Sequence, residues 1–241
     1  MHNTILWLHG FPLSADVFAP QRSIDATHVM PNLPGFGGTP ARAGMTMDDY
    51  ARYALEQLDQ VTNDPVTLAG VSMGGYIVFA IARLAPERIA RLLLIDTRET
   101  ADDEKGRRGR FEMIDTIRAH GMQPVVDAML PKMLTSGATQ EQKDAVRDIL
   151  LSASPEGAIA ALGAMANRPD SSALLPALHV PALVVVGEND PITPPDDSER
   201  MSRALPQARL LRLAPAAHLS HYEQAAAFNS AVEAWLTESS R

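Results

Sequence analysis

Between the apolar run Pro65-Val66-Thr67-Leu68-Ala69 and a longer one that starts at Gly75, the chain places Gly70-Val71-Ser72-Met73-Gly74. A serine spaced between two glycines, after a strand and at the head of a helix, suits nucleophilic attack on a carbonyl. The sharp strand-to-helix turn strains the serine backbone, and flanking residues without a Cβ let the chain pass closely there. Ser72 is therefore expected at the end of a sheet, with the Met73 amide at a helix N-terminus facing any negative charge that develops on a substrate oxygen.

Two more groups complete the chemistry. Gly187-Glu188-Asn189-Asp190-Pro191 follows the apolar run Leu183-Val184-Val185-Val186 and offers a short carboxylate that could orient an imidazole. The same residues also read as a plain Asx-type turn before proline. Ala214-Pro215-Ala216-Ala217-His218-Leu219 follows the last strand and offers His218 as a base that takes the Ser72 proton and later returns it to the leaving group. Upstream, His9-Gly10-Phe11 ends the first apolar run, and the glycine lets the Phe11 amide turn toward the site as a second oxyanion donor beside Met73. His9 itself reads as a structural histidine. His221 is a competing base and Asp96, after Leu92-Leu93-Leu94-Ile95, a competing acid.

These residues need a scaffold that brings chain-distant loops to one edge. Short apolar runs alternate with helical patterns, the signature of a parallel sheet covered by helices on both faces. Strands are expected near Thr4 to Leu8, Thr27 to Met30, Val66 to Ala69, Arg91 to Ile95, Ala182 to Val186 and Arg209 to Leu213. A helix opens at Thr46 with a Thr46/Asp49 capping box, and Ala51, Ala54, Leu55, Leu58 and Val61 recur at helical spacing behind it. Between Asp96 and Pro181 the alternation stops. That stretch reads as inserted helices punctuated by Pro124, Pro131, Pro155 and Pro169. Residues 1–96 and 179–241 are thus expected to form the core domain and 97–178 the insertion. Most of the insertion's apolar positions should form its own core, while its methionines could line an adaptable pocket; Met129, Met133 and Leu219 are the substrate-pocket candidates.

The 241 residues, 46% of them hydrophobic, suffice for one sizeable core, an ordinary soluble globular composition. A net charge of −8 argues against a nucleic-acid partner. The basic cluster from Lys105 to Arg110 follows Asp102-Asp103-Glu104 and reads as a solvated face. With no cysteine, disulfides, thiolate catalysis and cysteine-bound zinc are excluded. No apolar stretch suggests a signal peptide or membrane span, so a cytoplasmic location is expected. Nothing points to a cofactor or a metal.

The His-Gly-Phe turn, the Pro34-Gly35-Phe36-Gly37 loop, the Gly-Val-Ser-Met-Gly-Gly elbow and the Gly-Glu-Asn-Asp-Pro turn, with Ser, Asp and His in that order, resemble the α/β-hydrolase superfamily over essentially the whole chain. The resemblance implies Ser72, Asp190 and His218 as a catalytic triad, Phe11 and Met73 as backbone oxyanion donors, and the segment from about Thr97 to Leu178 as a cap over the site. A serine at the elbow sets the chain apart from haloalkane dehalogenases and epoxide hydrolases, which place an aspartate there. The branch it resembles includes small carboxylesterases, 3-oxoadipate enol-lactonase-like proteins and cofactor-free perhydrolases. The expected activity is therefore hydrolysis of a small, largely apolar ester or lactone, with perhydrolase chemistry or a ligand receptor as alternatives, in a monomer or homodimer. Arg98, Arg118 or Arg168 could meet a substrate carboxylate. Three features depart from the family: only Met1, His2 and Asn3 precede the first strand where a hairpin is common, Asn32 follows Pro31 where aspartate is usual, and Ala217 replaces the glycine before the histidine. The first of these leads to an expected sheet of about six strands with the Thr27 strand at its edge.

Overall fold

The computed structural model describes residues 3–238; Met1 and His2 lie outside them. Six strands, β1 (Thr4–Leu8), β2 (Thr27–Val29), β3 (Val66–Val71), β4 (Ile89–Ile95), β5 (Ala182–Gly187) and β6 (Ala208–Leu213), form one sheet in the order β2-β1-β3-β4-β5-β6. Every neighbouring pair is parallel, so all the strands end at the same edge, and β2 is an outer strand as expected.

Alternation along the strands sends side chains to two apolar layers. Leu6, Leu8, Leu68, Leu92, Leu94 and Val184 face one layer, where α1 (Met47–Asp59) and α2 (Met73–Leu84) supply Tyr50, Ile77 and Phe79. Ile5, Trp7, Ala69, Val71, Leu93 and Val185 face the other, against Phe18 and, from the helix Ala225–Glu238, Phe228 and Trp235. The central strands β3 and β5 are buried along their whole length, which is why they read as continuous apolar runs. Thr46 caps α1 with the reciprocal Asp49 arrangement expected from sequence. The helix stops at Asp59, however, so Val61 is not part of its buried face and is 54% exposed.

Between β4 and β5 the chain forms α3 (Glu104–His120), α4 (Gln123–Met133), α5 (Gln140–Leu151) and α6 (Pro155–Ala166). Pro124 and Pro155 stand in the first turns of α4 and α6, where a missing N–H costs nothing, whereas Pro131 is tolerated inside the last turn of α4. Helices α3 and α6 pack on each other, α4 packs on α3 and α5, and α5 reaches the turn Ala15–Ser23. Ile114, Ile117, Val125, Val126 and Met133 are buried, in the same two apolar clusters as the sheet residues, so they join the inserted helices to the main core. The basic cluster is only partly a solvated face. Lys105, Arg107 and Arg108 are exposed, but Arg110 turns inward to Asp102, 2.9 Å away, which also receives the buried Arg168 at 2.8 Å.

Candidate active site

The elbow has the predicted form. Ser72 sits between β3 and α2 with φ 52° and ψ −113°, a region costly for any residue with a Cβ. The turn is held by hydrogen bonds from Ser72 N–H to the Ile95 carbonyl (3.0 Å) and from Thr97 Oγ1 to the Ser72 carbonyl (2.7 Å). Close backbone approach explains the glycines: a Cβ on Gly74 would lie 1.9 Å from the Leu8 carbonyl oxygen. The same crowding sets the end of β1 against the elbow. Gly10 is so near that a Cβ there would meet the Ser72 Cβ at 3.2 Å, and Phe11 is the next residue along this turn. Met73, as the first residue of α2, has an N–H without a partner four residues back in the helix.

His9 is buried and fully engaged: Nδ1 bonds the Gly10 carbonyl (3.0 Å) and Nε2 accepts from Leu33 N–H (3.1 Å). That pattern requires the neutral ring, and burial pushes its pKa down to about 4. Its part is to hold the loop, as read from sequence.

Asp190 and His218 meet on the loops after β5 and β6, with Nδ1 of the imidazole 2.8 Å from Asp190 Oδ2. The two carboxylate oxygens divide their work. Oδ1 accepts from the Ile192 and Thr193 N–H groups (2.7 and 3.1 Å), which is the Asx-type turn; Oδ2 faces His218 and accepts from Thr193 Oγ1 (2.6 Å). One carboxylate oxygen thus forms the turn and the other meets the imidazole. Burial opposes the imidazolium, yet the Asp190 charge and hydrogen bond, with Asp96 behind them, outweigh it and hold the His218 pKa above its ordinary value. Burial likewise opposes the Asp190 carboxylate, but the His218 charge and the converging donors keep its pKa below the usual range. The loops themselves touch: a Cβ on Gly187 would lie 2.1 Å from the Ala217 carbonyl oxygen.

Asp96, the rival acid, also has a positive φ of 44° and is fully buried, but it does not hold the imidazole. Its carboxylate accepts from Gly187 N–H, Ser220 N–H and Ser220 Oγ at 2.7 to 2.9 Å, pinning the acid and base loops from below. Burial and the neighbouring Asp190 charge raise its pKa to about 7. His221, the rival base, points into the core between the rings of Phe18 and Phe228, and neither ring nitrogen has a partner among the described residues. Burial, then the His218 charge, push its pKa down to about 3.

With Ser72, Phe11, Met73, Asp190 and His218 all just beyond strand ends on one edge of a parallel sheet, the comparisons with known proteins become informative. The profile of the alpha/beta hydrolase fold family matches residues 3–225. The chain belongs to the α/β-hydrolase family. Among curated relatives, it is 26% identical to 3-oxoadipate enol-lactonase 2 of Acinetobacter baylyi over 78% of this chain and 70% of that one. It is 30% identical to a pimeloyl-[acyl-carrier protein] methyl ester esterase of Neisseria meningitidis over 87% of this chain and 69% of the relative. Among solved structures, a thermophilic esterase from Thermogutta terrifontis superposes with a TM-score of 0.93 at 35% identity, covering 99% of this chain and 90% of the other. This α/β hydrolase is thus an esterase- and lactonase-like hydrolase.

The other residues singled out from the sequence have the following surroundings. Arg98 bonds the Ile192 carbonyl and pairs with Asp197, Arg168 is spent on Asp102, the Thr100 and Met165 carbonyls and the face of Tyr76, and Arg118 pairs at the surface with Asp115. All three guanidinium groups already have anionic partners. Met133 and Leu219 are fully buried, joined by Leu219 N–H to the Met133 carbonyl (2.9 Å), while Met129 keeps partial exposure and touches both apolar layers. Asn32 replaces the usual aspartate without loss of contact: its Oδ1 accepts from Ala15 N–H and its Nδ2 donates to the Gly37 carbonyl. Two residues escaped the sequence reading. Thr193 follows Asp190 by three and could have been suspected as a partner in the turn; Glu223, which bonds Ala217 N–H and Thr135, left no local signal. No group of three or more His, Asp or Glu positioned to hold a metal occurs among the described residues. Nor is any single described helix long and apolar enough to cross a membrane.

Proposed function

We propose that this α/β hydrolase cleaves a small, largely apolar carboxylic ester or lactone through an acyl-Ser72 intermediate. The observation that carries the reading is the strained Ser72 elbow sharing its sheet edge with the hydrogen-bonded Asp190–His218 pair. His218 Nε2 removes the Ser72 proton as Oγ attacks the substrate carbonyl carbon. The Phe11 and Met73 N–H groups receive the negative charge on the tetrahedral oxygen. Collapse expels the alkoxide, which takes the proton from His218. Water, deprotonated by the same nitrogen, then attacks the acyl-enzyme, and Ser72 leaves with that proton. Asp190 fixes the imidazole with its proton on Nδ1 and stabilises the transient cation.

Residues 97–178 serve in this reading as a cap over the 1–96 and 179–241 core, with the partly exposed Met129 as its apolar lining and the fully buried Met133 and Leu219 as the packing behind it. A cytoplasmic location and a monomeric or homodimeric state belong to the same proposal; the cysteine-free composition suits the former.

The test is hydrolysis of p-nitrophenyl acetate, butyrate, octanoate and laurate, together with a γ-lactone, by the wild type and Ser72→Ala. Loss of turnover in the variant supports the nucleophile, and the best chain length sizes the pocket. Turnover that survives the substitution refutes the mechanism. Faster acyl transfer to hydrogen peroxide than to water would move the activity to a perhydrolase, with the same acyl-enzyme.

A further inference from the structure

The loop carrying His218 is held on its inner side by Asp96 through Ser220, and on its outer side by a carboxylate with no part in the chemistry. Glu223 Oε2 accepts from the Ala217 N–H at 2.9 Å, one residue before the base. Its other oxygen accepts from both the N–H and the hydroxyl of Thr135, in the connection between α4 and α5. One side chain therefore bridges the inserted helices to the backbone of the base. A second link, Leu219 N–H to the Met133 carbonyl, brackets His218 from the following residue. Beside these links the two segments part around a cavity of about 490 Å³, with Thr135 and Gly137 on one wall and Asn189, Pro215 and Ala217 on the other. The α4–α5 connection is thus tied to the base loop by these hydrogen bonds and by Leu134, which is buried in one apolar cluster with Ala216 and Leu219.

We infer that Glu223 is a positioning residue that couples the seating of the inserted helices to the alignment of His218. This inference rests on the acyl-serine reading for its kinetic consequence. A carboxylate accepts on both oxygens at once, so it can serve the two segments together. If the α4–α5 connection lifts, Thr135 leaves, and the constraint on Ala217 weakens with it. The imidazole then loses its register toward Ser72, and a displacement of about 1 Å costs on the order of a hundredfold in rate. Catalytic competence would follow closure of the insertion instead of being permanently set.

The experiment compares Glu223→Ala, Thr135→Val, the double variant and Glu223→Gln in steady-state hydrolysis of p-nitrophenyl butyrate. Hydrogen exchange of the 214–222 backbone and Tm are measured on the same samples. We expect Glu223→Ala to lose about tenfold to a hundredfold in kcat with little change in KM, and Thr135→Val, which keeps the residue 135 N–H on Glu223, to lose less. The double variant should be no slower than Glu223→Ala, since the hydroxyl that Thr135→Val removes has no carboxylate left to meet once Glu223 is truncated. Glu223→Gln, which keeps one acceptor, should recover part of the rate. Exchange at 214–222 should rise in Glu223→Ala, and by less in Thr135→Val. If Glu223→Ala leaves that exchange unchanged, or if kcat is unaffected in both single variants while only Tm falls, the coupling is refuted and Glu223 is a local structural group. Should exchange rise in both variants while Ser72→Ala keeps full turnover, the bridge stands and the acyl-serine reading fails.

Discussion

Asparagine at position 190 is the sharpest probe of the site, because the four contacts of this carboxylate dictate how an amide must sit. Oδ1 faces two backbone N–H groups, from Ile192 and Thr193, so the asparagine carbonyl has to occupy that place or leave two buried donors facing another donor. Its NH2 then points at His218 Nδ1, where Asp190 Oδ2 now lies 2.8 Å away. An amide that donates to Nδ1 forces the imidazole proton onto Nε2, the nitrogen that must receive a proton from Ser72. The base is present in the wrong tautomer, and the imidazolium formed in the transition state also loses its counter-charge. The expected loss is about a thousandfold to ten-thousandfold in kcat, or roughly 4 to 5.5 kcal/mol of barrier, with KM little changed. Asp96→Asn supplies the contrast. Its oxygens bind Gly187 and Ser220 but not the ring, so it should lose about 1 to 3 kcal/mol of stability and less than about tenfold in kcat. Both variants are assayed with p-nitrophenyl butyrate from acid to alkaline pH, with Tm as a check on folding. The assignment fails if Asp96→Asn is the more damaging change, or if Asp190→Asn stays within about tenfold of the wild type.

The raised His218 pKa sets the acid limb: kcat/KM should fall with a midpoint above pH 6.5, and a midpoint below that value would mean that burial and Arg98, rather than Asp190 and Asp96, dominate the ring. His221 and His9 stay neutral in the fold, at about 3 and about 4, while the unfolded chain protonates them near 6.5. Their contribution to stability is complete above that value and is lost as the pH falls toward the folded pKa values. His221→Leu should keep turnover and flatten the fall in unfolding free energy below pH 6 by about 1 kcal/mol per pH unit; an unchanged slope, or lost turnover, contradicts the core placement. Gly157→Ala would put a Cβ 2.3 Å from Gly35 Cα and should lower Tm by on the order of 5 °C, whereas Gly163→Ala on the same helix meets nothing within 4 Å and should not. Equal Tm values for the two variants would show that the α6 contact yields freely.

The parts of this fold that sequence conveys are those governed by local periodicity and by turn chemistry. All the strands were legible because β3, β4 and β5 are short apolar runs bounded by breakers, and α1 was legible through its Thr46/Asp49 cap. The Ser72 elbow, the Asp190 turn and the His218 loop were legible because each lies just after a strand. What escaped was set by contacts far apart in the chain. Glu223 meets Thr135 across 88 positions, and Arg110 turns inward because Asp102 and Arg168 await it, which an isolated basic cluster does not convey. Val61 continues the helical spacing of α1 although the helix has already ended at Asp59, since periodicity carries no stop signal of its own.

The contact between Gly35 and Gly157 also bears on recombination. Backbone meets backbone there: a Cβ on either residue would fall within 2.3 Å of the other's Cα, and the Ser154 N–H and hydroxyl both bond the Gly35 carbonyl. The inserted helices are therefore keyed to one loop of the core by the absence of side chains, and that key is divided between two segments 122 positions apart. A chimera that takes its helices from one homologue and its core from another will close only if both halves bring a small residue to this point. Shuffling libraries on this scaffold should fix the pair together and let the rest of the insertion vary.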